Sequence, residues 1–210
     1  GRRVRGRPGD RAGGVRGQGD GTGGGGRPSG WQCGKSGVAS HVFGRLASHT
    51  CIAKAVSQRS GHADLMVWHD QIQYKPANRG GSTGWHQDNH YFGTRSHLVL
   101  SCGIYLEDTD RSNGCLRVLP QSHTTGELVK HTGGDGTFAH GSWTEVDEDQ
   151  AVFVECPAGT VILFSANLLH GAATNTSDRS RYSTAWHYIP ADLDLQQFPF
   201  GVYEDRHEIG

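Results

Sequence analysis

Read for apolar periodicity, the chain changes character twice. Up to residue 35 there is no period: Gly and Arg alternate with scattered Pro, Asp and Ser, and the first aromatic is Trp31. Such a segment has little apolar area to bury against the entropy of ordering, so residues 1–35 are expected to be a disordered leader. It lacks the interleaved aromatics that stack bases, so an RNA-binding reading of its Arg and Gly gains no support. From 38 to 56 the period is loosely helical, with Val42, Leu46, Ile52 and Val56 as apolar positions and Ser60-Gly61 as the stop. One helix lying outside the main domain is expected there.

After Gly61 the pattern becomes that of short strands. Leu65-Met66-Val67-Trp68 leads into His69-Asp70-Gln71-Ile72-Gln73-Tyr74-Lys75, and Pro76 with Gly80-Gly81 ends the run. His69, Gln71 and Gln73 share one face of that strand, which is either a solvated edge or the wall of a polar pocket. Residues 98–106 form a further strand and 108–114 a turn, where Asn113-Gly114 suits a tight hairpin. Cys115-Leu116-Arg117-Val118-Leu119 is expected to return as the partner strand until Pro120 stops it. Residues 123–150 are a polar excursion without helical period. Strands follow at 151–155, at 160–164 running on toward Leu168-Leu169-His170-Gly171, and at 181–188. Many short strands separated by turn residues, with no helices between them, predict an antiparallel sandwich or barrel. In the tail from Pro190, Phe198, Phe200 and Tyr203 are candidates to pack back on the sheet.

Composition narrows the function classes. The 210 residues are 34% hydrophobic, enough for one ordinary core, and the formal charge of −1 steers toward neither nucleic acid nor anionic membrane. No apolar run approaches the length of a membrane span. The five cysteines (33, 51, 102, 115, 156) are odd in number and form no C-x-x-C pair. They read as free thiols in a reducing, cytoplasmic compartment. Asn175-Thr176-Ser177 fits a glycosylation sequon, a triplet common by chance. The chain opens on Gly1 rather than Met, so an N-terminal truncation of the 36–210 domain is expected.

Candidate chemistry centres on Trp85-His86-Gln87-Asp88-Asn89-His90-Tyr91-Phe92. In extended backbone His86 and Asp88 project from one face. They make two ligands of a 2-His-1-carboxylate site, the arrangement of non-heme Fe(II) oxygenases. With thirteen His in the chain one such pair is expected by chance, and His62-Ala63-Asp64 is a second. His170 sits at the end of an apolar strand beside Gly171, where it can face an opening. Beyond a turn, Arg181 shares a strand face with Ser183 and Ala185. A guanidinium with a hydroxyl two residues on suits a buried carboxylate, whereas Arg179, outside the strand, suits a surface ion pair.

Taken together, Trp85-His86-Gln87-Asp88, the run Asn113-Gly114-Cys115-Leu116-Arg117-Val118-Leu119-Pro120-Gln121-Ser122-His123, Gly159-Thr160-Val161-Ile162-Leu163-Phe164 with His170-Gly171, and Arg181 eleven residues later resemble the phytanoyl-CoA dioxygenase family. The resemblance implies a mainly β, double-stranded β-helix (jelly-roll, cupin-like) core with at least one N-terminal helix. It implies Fe(II) held by His86, Asp88 and His170, and 2-oxoglutarate bound through its distal carboxylate by Arg181. Ser183, Gln73 and Gln71 match positions lining the cosubstrate pocket, and O2 is the third reactant. The expected outcome is hydroxylation of a small organic substrate, with succinate and CO2 as co-products. Asp88 argues against halogenation, since halogenating relatives lack that ligand. Gln121 departs from the family's usual Gly in this turn. A monomer bound to neither membrane nor nucleic acid is expected. Two other readings stay open: an inert jelly-roll relative acting as a binding module, and a cupin-like zinc or manganese hydrolase or isomerase.

Overall fold

The computed structural model describes residues 31–34, 40–132, 143–193 and 207–209. The helical segment is two helices rather than one, α1 (His41–Ala47) and α2 (Thr50–Ser60). Between them the Ser48 hydroxyl donates to the Gly44 carbonyl at 3.0 Å, and His49 caps α2 by accepting the Cys51 N–H on Nδ1. In a continuous helix Leu46 and Ile52 would stand about 120° apart and share no single stripe; the chain instead restarts at Thr50. Val42 on α1 is 62% exposed. Ile52 and Val56, one turn apart on α2, are buried, and Gly61 closes the helix at φ 77°, a left-handed conformation.

The strands are β1 (Trp31–Gly34), β2 (Leu65–Lys75), β3 (Thr83–His86), β4 (Leu100–Ile104), β5 (Leu116–Val118), β6 (Val152–Val154), β7 (Val161–Ser165), β8 (His170–Ala172), β9 (Arg181–Pro190) and β10 (His207–Ile209). One sheet runs β1–β2–β9–β4–β7, with β10 also pairing β2; the other runs β3–β8–β5–β6. Every connection from β2 to β9 changes sheet except β5 to β6, which is the double-stranded β-helix. β1 lies within the segment whose composition reads as a leader: Trp31 pairs with Tyr74 and Gly34 with Gln71. Residues 1–30 and 35–39, and the tail aromatics Phe198, Phe200 and Tyr203, lie outside the described residues.

The outward face of the first sheet carries Leu65, Val67, Leu100, Cys102, Ile104, Trp186 and Tyr188, which bury Ala47, Ile52 and Val56 of the two helices. Tyr188 secures the contact by donating to the Ala47 carbonyl at 2.8 Å. Each such aliphatic is worth roughly 1.5–3 kcal/mol of burial. Alternation then turns His69, Gln71, Ser101, Ala185 and His187 inward, to a cavity between the sheets.

Two expected connections differ. β4 and β5 do not form a hairpin: β4 pairs β7 and β9, while β5 pairs β6 and β8 in the other sheet. The loop carries the chain across because Asn113, fully buried, accepts from Thr109 Oγ1 and Asp110 N and donates to the Asp108 carbonyl, with Gly114 at φ 81°. Likewise His170 does not end the strand that begins at 161. Leu168 N–H donates to the Ser165 carbonyl in a turn, and His170 opens a new strand in the second sheet.

Candidate metal centre

His86 and His170 are direct cross-strand partners on β3 and β8, so pairing alone brings the two imidazoles together, with ring centroids 4.2 Å apart. Gly171 permits that approach: a Cβ there would lie 2.9 Å from the Thr83 carbonyl oxygen. β3 stops at His86, and Asp88 opens the short helix α3 (Asp88–Phe92) instead of continuing the strand. The intervening Gln87 is extended (φ −114°, ψ 128°), which still sends the Asp88 carboxylate to the same side as His86. Asp88 Oδ1 lies 3.3 Å from His86 Nε2 and 3.5 Å from His170 Nε2. The three donor atoms lie within 4.8 Å of one another, and among the described residues this is the one group of three or more His, Cys, Asp or Glu so arranged. His62 and Asp64, in the turn before β2, take no part.

Both rings are oriented by backbone. His86 Nδ1 is 2.8 Å from the Gly84 carbonyl and His170 Nδ1 is 2.9 Å from that of Leu168. A carbonyl accepts only, which assigns the proton to Nδ1 and leaves the Nε2 lone pair facing Asp88. Burial favours the neutral His170 ring and pulls its pKa down to about 4, against the opposing pull of Asp88. Burial alone would raise Asp88; the imidazoles of His170, His187 and His86 around it outweigh burial and hold the carboxyl well below the usual range. Burial also pulls on His86, but Asp88 wins there and raises it. A carboxylate and two imidazoles presenting nitrogen lone pairs form the donor set of a facial triad, with soft thiolates absent from it.

Across the cavity, Arg181 is 1% exposed at the start of β9. Its Nη1 donates to Ser183 Oγ, its Nη2 to the Gly114 carbonyl at 3.2 Å, and its Nε has no partner. Among the described residues it has no ion-pair partner, and burial pulls its pKa down. Ser183 thus braces the guanidinium. Gln71 and Gln73 line the same cavity as His86, Asp88, His170 and Arg181, so the polar face of β2 is a pocket wall and not a solvated edge. Arg179, by contrast, pairs with Asp110 at 2.6 Å, both half-exposed, as expected of a surface residue.

Further residues hold the site, and of these Gln87 and His187 were not singled out by sequence. Gln87, between two ligands and fully buried, donates from Nε2 to the Asn167 and Glu127 carbonyls and accepts the Val129 N–H. It ties the ligand turn to the excursion after β5. Asn89 donates to Asn167 Oδ1 at 2.7 Å, joining α3 to the β7–β8 turn. His187 lies 3.1 Å from Asp88 Oδ2. Strand parity with Arg181, Ser183 and Ala185 was the available signal for it.

With this geometry in place, comparison with known proteins is decisive at the level of family. The sequence profile of the phytanoyl-CoA dioxygenase (PhyH) family matches residues 32–183. The chain belongs to the phytanoyl-CoA dioxygenase family. Its relatives include human peroxisomal phytanoyl-CoA dioxygenase, 31% identical over 138 residues, which cover 61% of this chain and 40% of the human protein. The bovine phytanoyl-CoA dioxygenase domain-containing protein 1 is 32% identical over 155 residues, 70% of this chain and 53% of that protein. A probable alpha-ketoglutarate-dependent hypophosphite dioxygenase of Stutzerimonas stutzeri is 30% identical over 135 residues, 61% and 46% of the two chains. The chain therefore spans about half the length of the curated relatives it matches. Among solved structures, the non-heme monooxygenase ThoJ in its apo form superposes with a TM-score of 0.66 at 28% identity, covering 77% of this chain and 60% of that one. EctD from S. alaskensis, solved with 2-oxoglutarate and 5-hydroxyectoine, gives 0.63 at 24% identity over 84% of this chain and 61% of that one, which supports the shared fold.

Proposed function

We propose that this chain carries the core of an Fe(II)- and 2-oxoglutarate-dependent dioxygenase that hydroxylates a small organic substrate, forming succinate and CO2 as co-products. The observation that carries the reading is Arg181, a buried guanidinium without a carboxylate partner among the described residues, facing the same cavity as the His86, Asp88 and His170 donors. A buried cation unmatched by protein is unfavourable unless a ligand supplies the anion. A dicarboxylate spanning the cavity does so with one end on Arg181 and the other at the triad. Iron at the triad would supply O2 activation and removal of hydrogen from the substrate; the protein supplies orientation, charge matching and a partly dry pocket.

Each residue has a definite task. His86 and His170 present Nε2 because their Nδ1 protons are held by backbone, and Asp88 adds the anionic oxygen. Arg181 receives the distal carboxylate, Ser183 and the Gly114 carbonyl fix its plane, and Gln71 and Gln73 offer further polar contacts along the wall. The same donors would serve zinc in a hydrolase, but a hydrolase has no use for a buried carboxylate receptor across the cavity. The full donor set also weighs against an inert relative. The unpaired thiols Cys51, Cys102, Cys115 and Cys156 support a reducing, cytoplasmic location. Anaerobic titration with Fe(II) and then 2-oxoglutarate tests the proposal. The weak visible charge-transfer band of the chelate is expected only when both are present, and its absence would sink the reading.

A further inference from the structure

Asp88 has two carboxylate oxygens, and the fold treats them differently. Oδ1 faces both ligand imidazoles. Oδ2 turns to the first sheet, where it accepts the Ser101 hydroxyl at 2.6 Å and lies 3.1 Å from His187 Nε2. Ser101 and His187 are both buried, and they are direct cross-strand partners on β4 and β9. His69 on β2 is in turn the partner of His187, with the two Nδ1 atoms 3.1 Å apart. Three neighbouring strands therefore present Ser101, His187 and His69 as one row beneath the carboxylate.

The contacts order the protons along that row. An ionised carboxylate only accepts, so the contact with Oδ2 places a proton on His187 Nε2. In a neutral ring His187 Nδ1 is then an acceptor, and the short Nδ1–Nδ1 contact requires His69 to carry its proton on Nδ1. Donation runs one way, from His69 to His187 to Asp88, with Ser101 as second donor to the same oxygen. Hydrogen bonds to a charged acceptor are among the stronger ones, and two of them occupy Oδ2.

We infer that His187 and Ser101, backed by His69, are positioning residues that withhold Asp88 Oδ2 from the metal, so that the carboxylate binds through Oδ1 alone. The inference rests on the metal reading proposed above. Its consequence concerns room: a carboxylate chelating through both oxygens takes an additional coordination position, one that the cosubstrate and O2 require. The row keeps that position open without adding a ligand.

The test uses the whole chain and Co(II) as probe, since the intensity of its d–d bands falls as coordination number rises. Ser101→Ala and His187→Leu are expected to weaken Co(II) binding by about 10- to 100-fold, the range for residues that orient a metal ligand. Both are expected to lower band intensity as Asp88 closes on the metal with both oxygens. His187→Gln, whose amide N–H reaches the position of Nε2–H, is expected to recover affinity and spectrum. Thermal melts check that each variant is folded, and Ser101→Ala, which removes one hydroxyl, keeps the test alive if His187→Leu is not. Imidazole 15N NMR of the metal-free chain should place protons on His187 Nε2 and His69 Nδ1. Folded variants that keep wild-type affinity and spectrum, a Gln variant no better than Leu, or a bare His187 Nε2 each overturn the inference and leave the metal reading standing. A wild-type chain that takes up no Co(II) overturns both.

Discussion

Arg179 and Arg181 stand two positions apart and face opposite environments. Arg179 is half-exposed on Asp110, where an ion pair is worth about 0–1 kcal/mol, and Arg179→Ala should leave 2-oxoglutarate affinity unchanged. Arg181 is buried with its charge unmatched among the described residues, so Arg181→Ala is expected to weaken 2-oxoglutarate binding by about 3–5 kcal/mol, roughly two to four decades, with iron binding largely kept. Arg181→Lys should recover only part, since a point charge replaces a planar fork. Calorimetric titration of the three variants decides it: equal losses at 179 and 181, or none at 181, would remove the cosubstrate assignment. The contrast was legible in the sequence because period-2 alternation assigns Arg181, Ser183 and Ala185 to one face and leaves Arg179 in the turn. The same alternation reaches His187. Its role was not legible, because nothing in one strand's sequence says that Asp88, 99 positions earlier, will bring an oxygen to it. Gln121 shows another residue-level signal. It occupies the turn position where the family usually has Gly, and its φ is 65°. Gln121→Gly should relieve left-handed strain of up to ~1 kcal/mol, less the entropy cost of Gly. A melt should show a small rise in Tm, and a clear fall would count against strain at this turn.

Elements were legible wherever the determinants are local. The positions of most strands follow from runs of apolar and β-branched residues between turn residues, and the stop of α2 follows from Gly61. Pairing was less accessible. A turn rich in Asp and Asn with Asn-Gly at its end reads as a hairpin, yet residues 108–114 carry the chain from one sheet to the other. What makes the crossing is tertiary: Asn113 buries its amide among Thr109, Asp110 and Asp108, and Asp110 accepts from Ser112 and Asn113. Asn113→Ala strands buried partners and should cost about 1–3 kcal/mol, read as a lower midpoint in urea with little change in slope. The Asp110 carboxyl is held down to about 2, first by the Ser112 hydroxyl bond and then, against the opposing effect of burial, by Arg179 and the backbone amides. A depressed folded-state pKa stabilises above the unfolded value near 3.8, and that stabilisation is lost as pH falls toward 2. Ser112→Ala should therefore destabilise slightly at pH 7, by under ~1 kcal/mol because the group is exposed, and the difference should shrink below pH 4. A variant whose deficit grows on acidification would contradict this origin.

At the scale of the whole molecule, the site is a joint between the two sheets. His86 and His170 belong to β3 and β8 of the second sheet, Asp88 follows at once on α3, and Arg181 opens β9 of the first. Metal binding gathers donors that already lie close together, whereas a dicarboxylate reaching Arg181 would bridge the sheets across the cavity. Ligands that bind only the folded chain stabilise it by RT ln(1 + [L]/Kd), about 2.7 kcal/mol at a hundred times Kd, which for a chain of this size raises Tm by roughly 5–10 °C. Two successive increments are expected under anaerobic conditions: one with Fe(II), and a second when 2-oxoglutarate is added to the metal-loaded chain. The variants should separate them. Arg181→Ala should keep the first increment and lose most of the second, because the metal donors are intact and the far anchor is gone. Asp88→Ala should lose both, since the chelate needs the metal. His62→Ala and Asp64→Ala, in the turn before β2, should behave as wild type. A 2-oxoglutarate increment of equal size without metal would mean that Arg181 alone holds the ligand, and the bridge between sheets would not run through the triad.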